Sequence, residues 1–433
     1  MTELDNRVAI NVQIKDITVT RQGFGILAIV HEHDQSTERV ETYTSLLDLL
    51  AIFPSYTPVG RFASIAYSQA FTPEKIKVIL RDTGETVTQA LDAAVLEDND
   101  FYGIGVPGDL SADHTAAAAW ALANGPRLYL YSSQDVTSEA STETDIFFLL
   151  KALTNNRAAG WYSQKAGVEF VIDSLTVAGT NCTADITTHA TQEVKVGDTV
   201  GIWDAVGAGL NGEFTVVSIG VLDFVFVVAT GTVTDLTPSK AWVNFNLLDA
   251  AISGKMLPQD AGARTWDIQP LGAVTADKLS GTAQTNLGAK NANWYTSVGR
   301  VPVTGGPKPG GGGKLASGRY IDVQRGADWL EVNLQADLFA LMVNEGGSLG
   351  YDADGFQKVE SAIALRLDDG LTKGFLTPFV SGVFAGQNYN ILMPDLATIP
   401  QDDKTNRLLE GIKINALIRG KIHNLAADLT LST

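Results

Sequence analysis

Several patterns in the 433-residue chain pair residue types with spacings that chemistry uses. Gly103-x-Gly105-x-x-Gly108 matches the dinucleotide fingerprint as text. That motif works when its glycines form the turn after a strand and a helix N-terminus meets the pyrophosphate. Asp135, after the next strand, stands roughly where a ribose-binding acid would. Yet the first two glycines lie inside an apolar strand pattern and Pro107 occupies the turn, so strand glycines followed by a turn are the better account. Gly312-Gly313-Lys314 resembles the end of a phosphate-binding loop. Pro309 replaces the required glycine and Leu315 the hydroxyl that would hold magnesium, so a flexible surface loop is expected. Asp352-Ala353-Asp354-Gly355 looks like part of a calcium loop. Alignment on Gly355 puts Gly350 and Ser361 at positions that need carboxylates, which favours a turn and a helix cap.

The remaining candidates are weaker. His31 and His33 flank Glu32 and would share one face of a strand, but no third ligand cluster is evident, so a solvated loop is expected. His114, His189 and His423 are scattered, and none follows a nucleophile motif. Cys182 has no neighbouring cation to lower its pKa and should be inert. Trp161, Trp203, Trp242, Trp266, Trp294 and Trp329 are expected in the core rather than on a stacking platform. The expectation is no catalytic residues, no cofactor, no metal and no enzyme activity.

The elements that would position these residues change in character along the chain. Over 75–163, strand and helix patterns alternate. Ile76, Val78 and Leu80 suggest a strand. Thr86 and Gln89 form a capping box before Val87, Ala90, Leu91, Ala94 and Val95 on one helical face. Ser111 is a candidate cap for the next helix. Such alternation implies a largely parallel sheet covered by helices. Over 165–245 helical periodicity disappears, Val, Thr, Phe and Gly take over, and Asn211-Gly212 signals a turn. This segment reads as an inserted all-β domain. Asp328 is a candidate cap for a helix with the stripe Leu330, Leu334, Leu338 and Leu341. Asp354 is a candidate cap for another through Val359, Ile363 and Leu367.

Composition narrows the classes. The chain carries 49 acidic and 31 basic residues, a formal charge of −18, which argues against nucleic acid as a partner. A single cysteine excludes a disulfide framework. No apolar run reaches the ~18 residues of a membrane span, and MTELDNRVAINV lacks the layout of a signal peptide. The expectation is a soluble chain made in a reducing cytoplasm, without direct membrane insertion. Only 18% of residues are charged, and 42 are glycine, so either the core is large or much of the surface is destined for contact.

Both ends alternate outside any α/β unit. Val8, Ile10, Val12 and Ile14 share one strand face, as do Leu425, Ala427, Leu429 and Leu431. Such strands need a sheet edge, in their own subunit or in a neighbour. Head-to-tail donation that does not close generates a helix of subunits. Lys404, Arg407 and Lys413 belong to a locally basic end on an acidic chain and mark a possible contact with an acidic neighbour.

Ordered segments then carry a family resemblance. VAINVQIKDITVTRQGFGILAIV, ASIAYSQAFTPEKIKVIL, NANWYTSVGRVPV, ASGRYIDVQRGADWLEVNLQADLFALM, LGYDADGFQKVESAI and RLLEGIKINALIRGKIHNLAADLTLS resemble contractile tail sheath proteins of bacteriophages. The block with Gly318, Tyr320, Ile321, Asp322, Asp328, Trp329 and Leu330 is the most specific part. The resemblance implies a mixed α/β (α+β) sheath-type core with an inserted all-β domain and extended arms. It divides the chain into an N-terminal arm (1–25), an α/β domain (26–164), the insertion (165–245), a C-terminal sheath core (246–410) and C-terminal strands (411–433). It further implies hexameric rings stacked as a helix around a tail tube protein. Baseplate and tail terminator proteins would be partners, in a virion tail assembled in the host cytoplasm. The sheath would contract to drive the tube through the host envelope. Alternatives are a cytoplasmic α/β nucleotide-binding enzyme and a non-contractile shell or baseplate protein.

Overall fold

A computed structural model describes residues 23–108, 110–165, 167–186, 194–243, 246–306 and 311–423. Within them, β1 (Leu27–Glu32), β2 (Val40–Tyr43), β3 (Ile76–Arg81), β4 (Gly103–Gly105), β5 (Leu128–Ser133) and β6 (Ala158–Tyr162) come first. They alternate with α1 (Leu46–Ile52), α2 (Pro58–Tyr67), α3 (Val87–Glu97), α4 (Ser111–Ala123) and α5 (Ile146–Ala152). Strands β1, β3, β5 and β6 are buried nearly throughout and mostly apolar, as packing on both faces requires. Alternate side chains of β1 show why. Leu27 and Ile29 join one core with Phe62 of α2, while Ala28 and Val30 join a second with Leu91 of α3 and Phe147 of α5. The Thr86–Gln89 capping box is formed at the start of α3. Ser111 is not a cap: α4 begins at that residue, and its N-cap Leu110 offers no side-chain bond.

Seven strands follow: β7 (Val168–Ile172), β8 (Ser174–Ala178), β9 (Asn181–Asp185), β10 (Thr199–Trp203), β11 (Gly212–Ile219), β12 (Asp223–Val227) and β13 (Ser239–Val243). They form one antiparallel sheet in the order β7-β13-β10-β11-β12-β9-β8, with its own apolar core around Ile172, Phe224 and Phe226. Trp203 and Trp242 instead join the core of the first sheet. Asn211 does not make a tight two-residue turn. Its amide braces the longer β10–β11 loop, donating to Ala205 O at 2.8 Å and accepting from Ala205 N at 2.9 Å.

Next come α6 (Leu248–Met256), α7 (Gly281–Ala289), β14 (Asn293–Val298) and β15 (Val301–Gly305). The last two complete the first sheet, whose order is β15-β14-β6-β5-β4-β1-β3-β2. Its inner strands are parallel, and β2 and β15 pair antiparallel at the edges.

The chain ends with α8 (Ile321–Asn344), α9 (Ala353–Thr372), β16 (Leu376–Thr377), β17 (Tyr389–Leu392), α10 (Gln401–Asn406) and β18 (Lys413–Ile418). The three strands form a small sheet, β16-β18-β17. Of the described residues, internal contacts define a larger unit holding 23–328 and 420–423, and a smaller one holding Trp329–Arg419. The division falls inside α8. In the smaller unit the leucine stripe of α8 packs with Val359, Ile363 and Leu367 of α9. Two expected caps are displaced. Asp328 sits inside α8 and not at its start. The cap of α9 is Asp352, whose Oδ1 accepts from Gly355 N at 2.8 Å, not Asp354.

Candidate functional site

In the parallel sheet, β1 is flanked by β3 and β4, so the chain order reverses across it. Ligands of open α/β sheets collect at such a switch point, beyond the strand C-termini. A cavity of about 550 Å³ opens there, lined by His31, Arg81, Gly108, Asp113, Glu169 and Lys240 among others. Its charges are already matched. Arg81 Nη1 lies 2.6 Å from Asp113 Oδ2, His31 Nε2 lies 3.0 Å from Glu169 Oε2, and Lys240 Nζ lies 3.4 Å from Glu32 Oε1. Burial alone would raise the Glu169 carboxyl, but the charge and hydrogen bond of His31 bring it below its ordinary value.

The fingerprint glycines serve packing. A Cβ on Gly103 would overlap Leu257, and one on Gly105 would overlap the Phe62 ring. The helix that follows carries Asp113 in its first turn, where an anion would have to sit. Asp135 is occupied in capping a short turn, accepting from Thr137 N at 2.9 Å. The histidine pair is not a solvated loop. His31 lies next to the end of a buried strand, and His33 is half-buried against Phe53; that burial and the neighbouring His31 push its pKa down to about 4. His114 is buried with Nδ1 2.6 Å from Tyr129 Oη, and His189 lies outside the described residues. Cys182 is buried and its thiol is pushed up to about 11. All six tryptophans named from the sequence are buried. Among the described residues, no three His, Cys, Asp or Glu side chains gather as metal ligands, and no helix is long and apolar enough to cross a membrane.

The first two turns of α8 hold a dense buried polar network. The Arg325 guanidinium is buried and donates to the carbonyls of Met256 (2.9 Å), Leu257 (2.5 Å), Gln259 (2.8 Å) and Phe24 (3.1 Å). Asp328 accepts from Tyr102 Oη at 2.8 Å, from Gln324 Nε2 at 2.8 Å and from Arg157. Burial and the Asp328 charge raise Tyr102 well above its ordinary pKa, so it stays a donor. These bonds explain why α8 starts at Ile321. The residues before Asp328 have buried partners that reward helical geometry, so no cap is needed at Asp328.

The smaller unit contrasts with this. Its sheet has two outer strands, and among the described residues β17 pairs only with β18. Several apolar side chains face solvent: Phe339, Met342, Leu365, and Val380 and Val383 at 86% and 90% exposure. Lys404 lies in α10 and reaches Leu396 O at 3.4 Å, Arg407 ends that helix in the left-handed conformation, and Lys413 opens β18. Arg407 and Lys413 are exposed, and nothing brings the three into one cluster. Val8, Ile10, Val12, Ile14, Leu425, Ala427, Leu429 and Leu431 lie outside the described residues.

Solved structures share this architecture. A chain of the anti-feeding prophage (AFP) helical sheath in contracted state matches over 98% of this chain and 98% of its own, at 14% identity and a TM-score of 0.58. The fold is sheath-like. A chain of the AFP baseplate, 6-fold symmetrised, matches over 98% and 99%, at 13% identity and a TM-score of 0.58. One from the AFP baseplate in contracted state matches over 100% and 99%, at 11% identity and a TM-score of 0.57. No protein-family model and no curated protein matches the sequence.

Proposed function

We propose that the chain is a structural subunit of a contractile tail, polymerising as stacked hexameric rings around a tail tube. Contraction of those rings would drive the tube through a host envelope, as the bacteriophage sheath resemblance implies. The observation that carries this is full-length agreement of fold with a chain of a contracted helical sheath. The edges of the small sheet, which no described strand pairs, and the exposed apolar side chains of the smaller unit support it, since neighbouring subunits would cover both. The terminal segments with Val8–Ile14 and Leu425–Leu431 act as arms that add strands to a neighbour's sheet, and Lys404, Arg407 and Lys413 lie at that contact. Copies of this chain, the tube protein, and baseplate and tail terminator proteins are the partners, and the particle tail, built in a host cytoplasm, is the location.

Electron microscopy of the purified chain, with and without a tube protein, is the test. Rings or long tubes are expected. Strictly monomeric protein at high concentration would overturn the proposal. A second reading, a baseplate component, is favoured by the two baseplate matches. It predicts single rings that never stack.

A further inference from the structure

Gly311, in the glycine-rich stretch, and His423 meet. The His423 side chain is 7% exposed. Its Nε2 lies 2.8 Å from Thr265 Oγ1, and its Nδ1 lies 3.7 Å from Asp267 Oδ2, an ion-pair distance too long for a hydrogen bond. The Tyr320 ring meets the imidazole edge-on at 5.1 Å between centroids. Gly311 closes the other side. It has a φ of +75°, and a Cβ there would overlap Asp267 Oδ2 and crowd His423 Nδ1. Gly312 and Gly313 are buried against the same aspartate, so this stretch is a packed wall and not a flexible surface loop. The chain path adds meaning. β18 and Arg419, whose N–H donates to Phe375 O at 2.8 Å, belong to the smaller unit, while residues 420–423 belong to the larger.

We propose that Thr265, Asp267, Gly311–Gly313 and Tyr320 form an imidazole-binding socket that fastens the root of the C-terminal segment to its own subunit through His423. The exchangeable part of the C-terminal arm then begins after His423 and not at Gly411. The socket stands on the geometry, while its consequence for arm exchange rests on the contractile-subunit reading. Burial raises the Asp267 carboxyl above its ordinary value, against the pull of the Gly312 N–H and of His423 beside it. Thr265 and Gly311 complete the selection for a flat ring with a nitrogen at each end.

The test uses the full chain as a free subunit. In wild type, trypsin should cleave slowly after Lys421. His423→Gly should raise that rate about tenfold by freeing the segment to open locally. Free imidazole at tens of millimolar and constant pH should restore protection, whereas the same concentration of a saturated amine should not. Gly311→Ala should mimic His423→Gly without responding to imidazole. Equal cleavage of wild type and His423→Gly, or no imidazole rescue in a variant whose circular dichroism is native, overturns the socket.

Assembled particles then test the consequence. Cysteines in place of the exposed Arg264 and Ile422, next to the contacting pair, can be joined by a short bis-maleimide. Cross-linking within one subunit is expected, and a ladder of multimers overturns attachment to the same subunit. If no particles form, the tail reading fails, while the proteolysis result still decides the socket.

Discussion

The eight-stranded sheet and the three-stranded sheet are built by one chain to different standards of completion. In the first, β1, β3, β5 and β6 are buried along nearly their whole length, with apolar cores on both faces. In the second, no residue of β17 or β18 is fully buried, β16 has two residues, and apolar side chains at Val380 and Val383 stand in solvent nearby. A finished sheet explains itself by its own packing. An unfinished one, in a chain with a low charged fraction, points outward to another surface. The difference teaches that function in this protein is to be sought where stability is incomplete, not in the well-formed cleft beyond β1.

The sharpest way to break the contrast is at Arg325. Replacing it with Met removes a guanidinium that satisfies four backbone carbonyls in a buried site. A loss of about 3–5 kcal/mol in unfolding free energy is expected for the larger unit. Chemical denaturation followed by tryptophan fluorescence would measure it, and a loss under 1 kcal/mol would show that the network is not what holds α8. The smaller unit has its own core, so Leu367→Ala should cost about 2–4 kcal/mol there. Hydrogen exchange should place that loss in α9 and leave β1 and β5 protected; uniform loss of protection would contradict two separate cores.

Much of the finished part was legible in sequence because its signals are local. The capping box at Thr86 and Gln89, the apolar strands and the all-β character of 165–245 lie in short windows. The misread positions have distant partners. Asp328 before a leucine stripe looks like a cap, yet its partners Tyr102 and Arg157 are 226 and 171 residues away. His31 looks exposed beside Glu32, yet it pairs with Glu169, 138 residues on. The glycines at 103 and 105 were read as strand glycines and do lie in β4, but the partners that leave them no room for a side chain, Leu257 and Phe62, are again distant in sequence. Sequence spacing cannot report a contact made by tertiary packing. The candidate assembly surfaces were legible only as alternating termini and sparse charge.

Acid should act on the finished part in two opposed directions. Burial raises Asp249 and Asp277 to about 6, and burial lowers His33 to about 4. For the carboxyls, the folded state holds a proton that the unfolded chain releases. Their contribution is therefore greatest below the ordinary carboxylate pKa and is lost as pH rises through about 6. Going from pH 7 to pH 5, each adds on the order of 1 kcal/mol. His33 is the reverse: the unfolded chain takes up a proton below about 6.5 that the folded state refuses, so acidification removes on the order of 2 kcal/mol. The summed contribution of these three groups should thus be nearly flat over this interval. Asp249→Asn should turn it into a decline on acidification and His33→Gln into a rise. Unchanged profiles in both variants would show that these groups are not titrating in the folded state.

The smallest effect on stability should fall on the unfinished part, and there it separates folding from assembly. Val380 and Val383 touch little in the isolated chain, at 86% and 90% exposure. Changing both to Asp should move the unfolding free energy by no more than about 0.5 kcal/mol. If neighbouring subunits cover this surface, the same change places two charges in an apolar contact without partners, and polymer should be lost at concentrations where wild type assembles. Sedimentation and melting on the same samples read both quantities. Polymer that survives the double change would move the contact away from residues 378–386, to the free edge of β17 or the faces of α8 and α9 that present Phe339, Met342 and Leu365. A large fall in melting temperature would mean that the two valines belong to the fold of the smaller unit, and the contrast between finished and unfinished sheets would lose its basis.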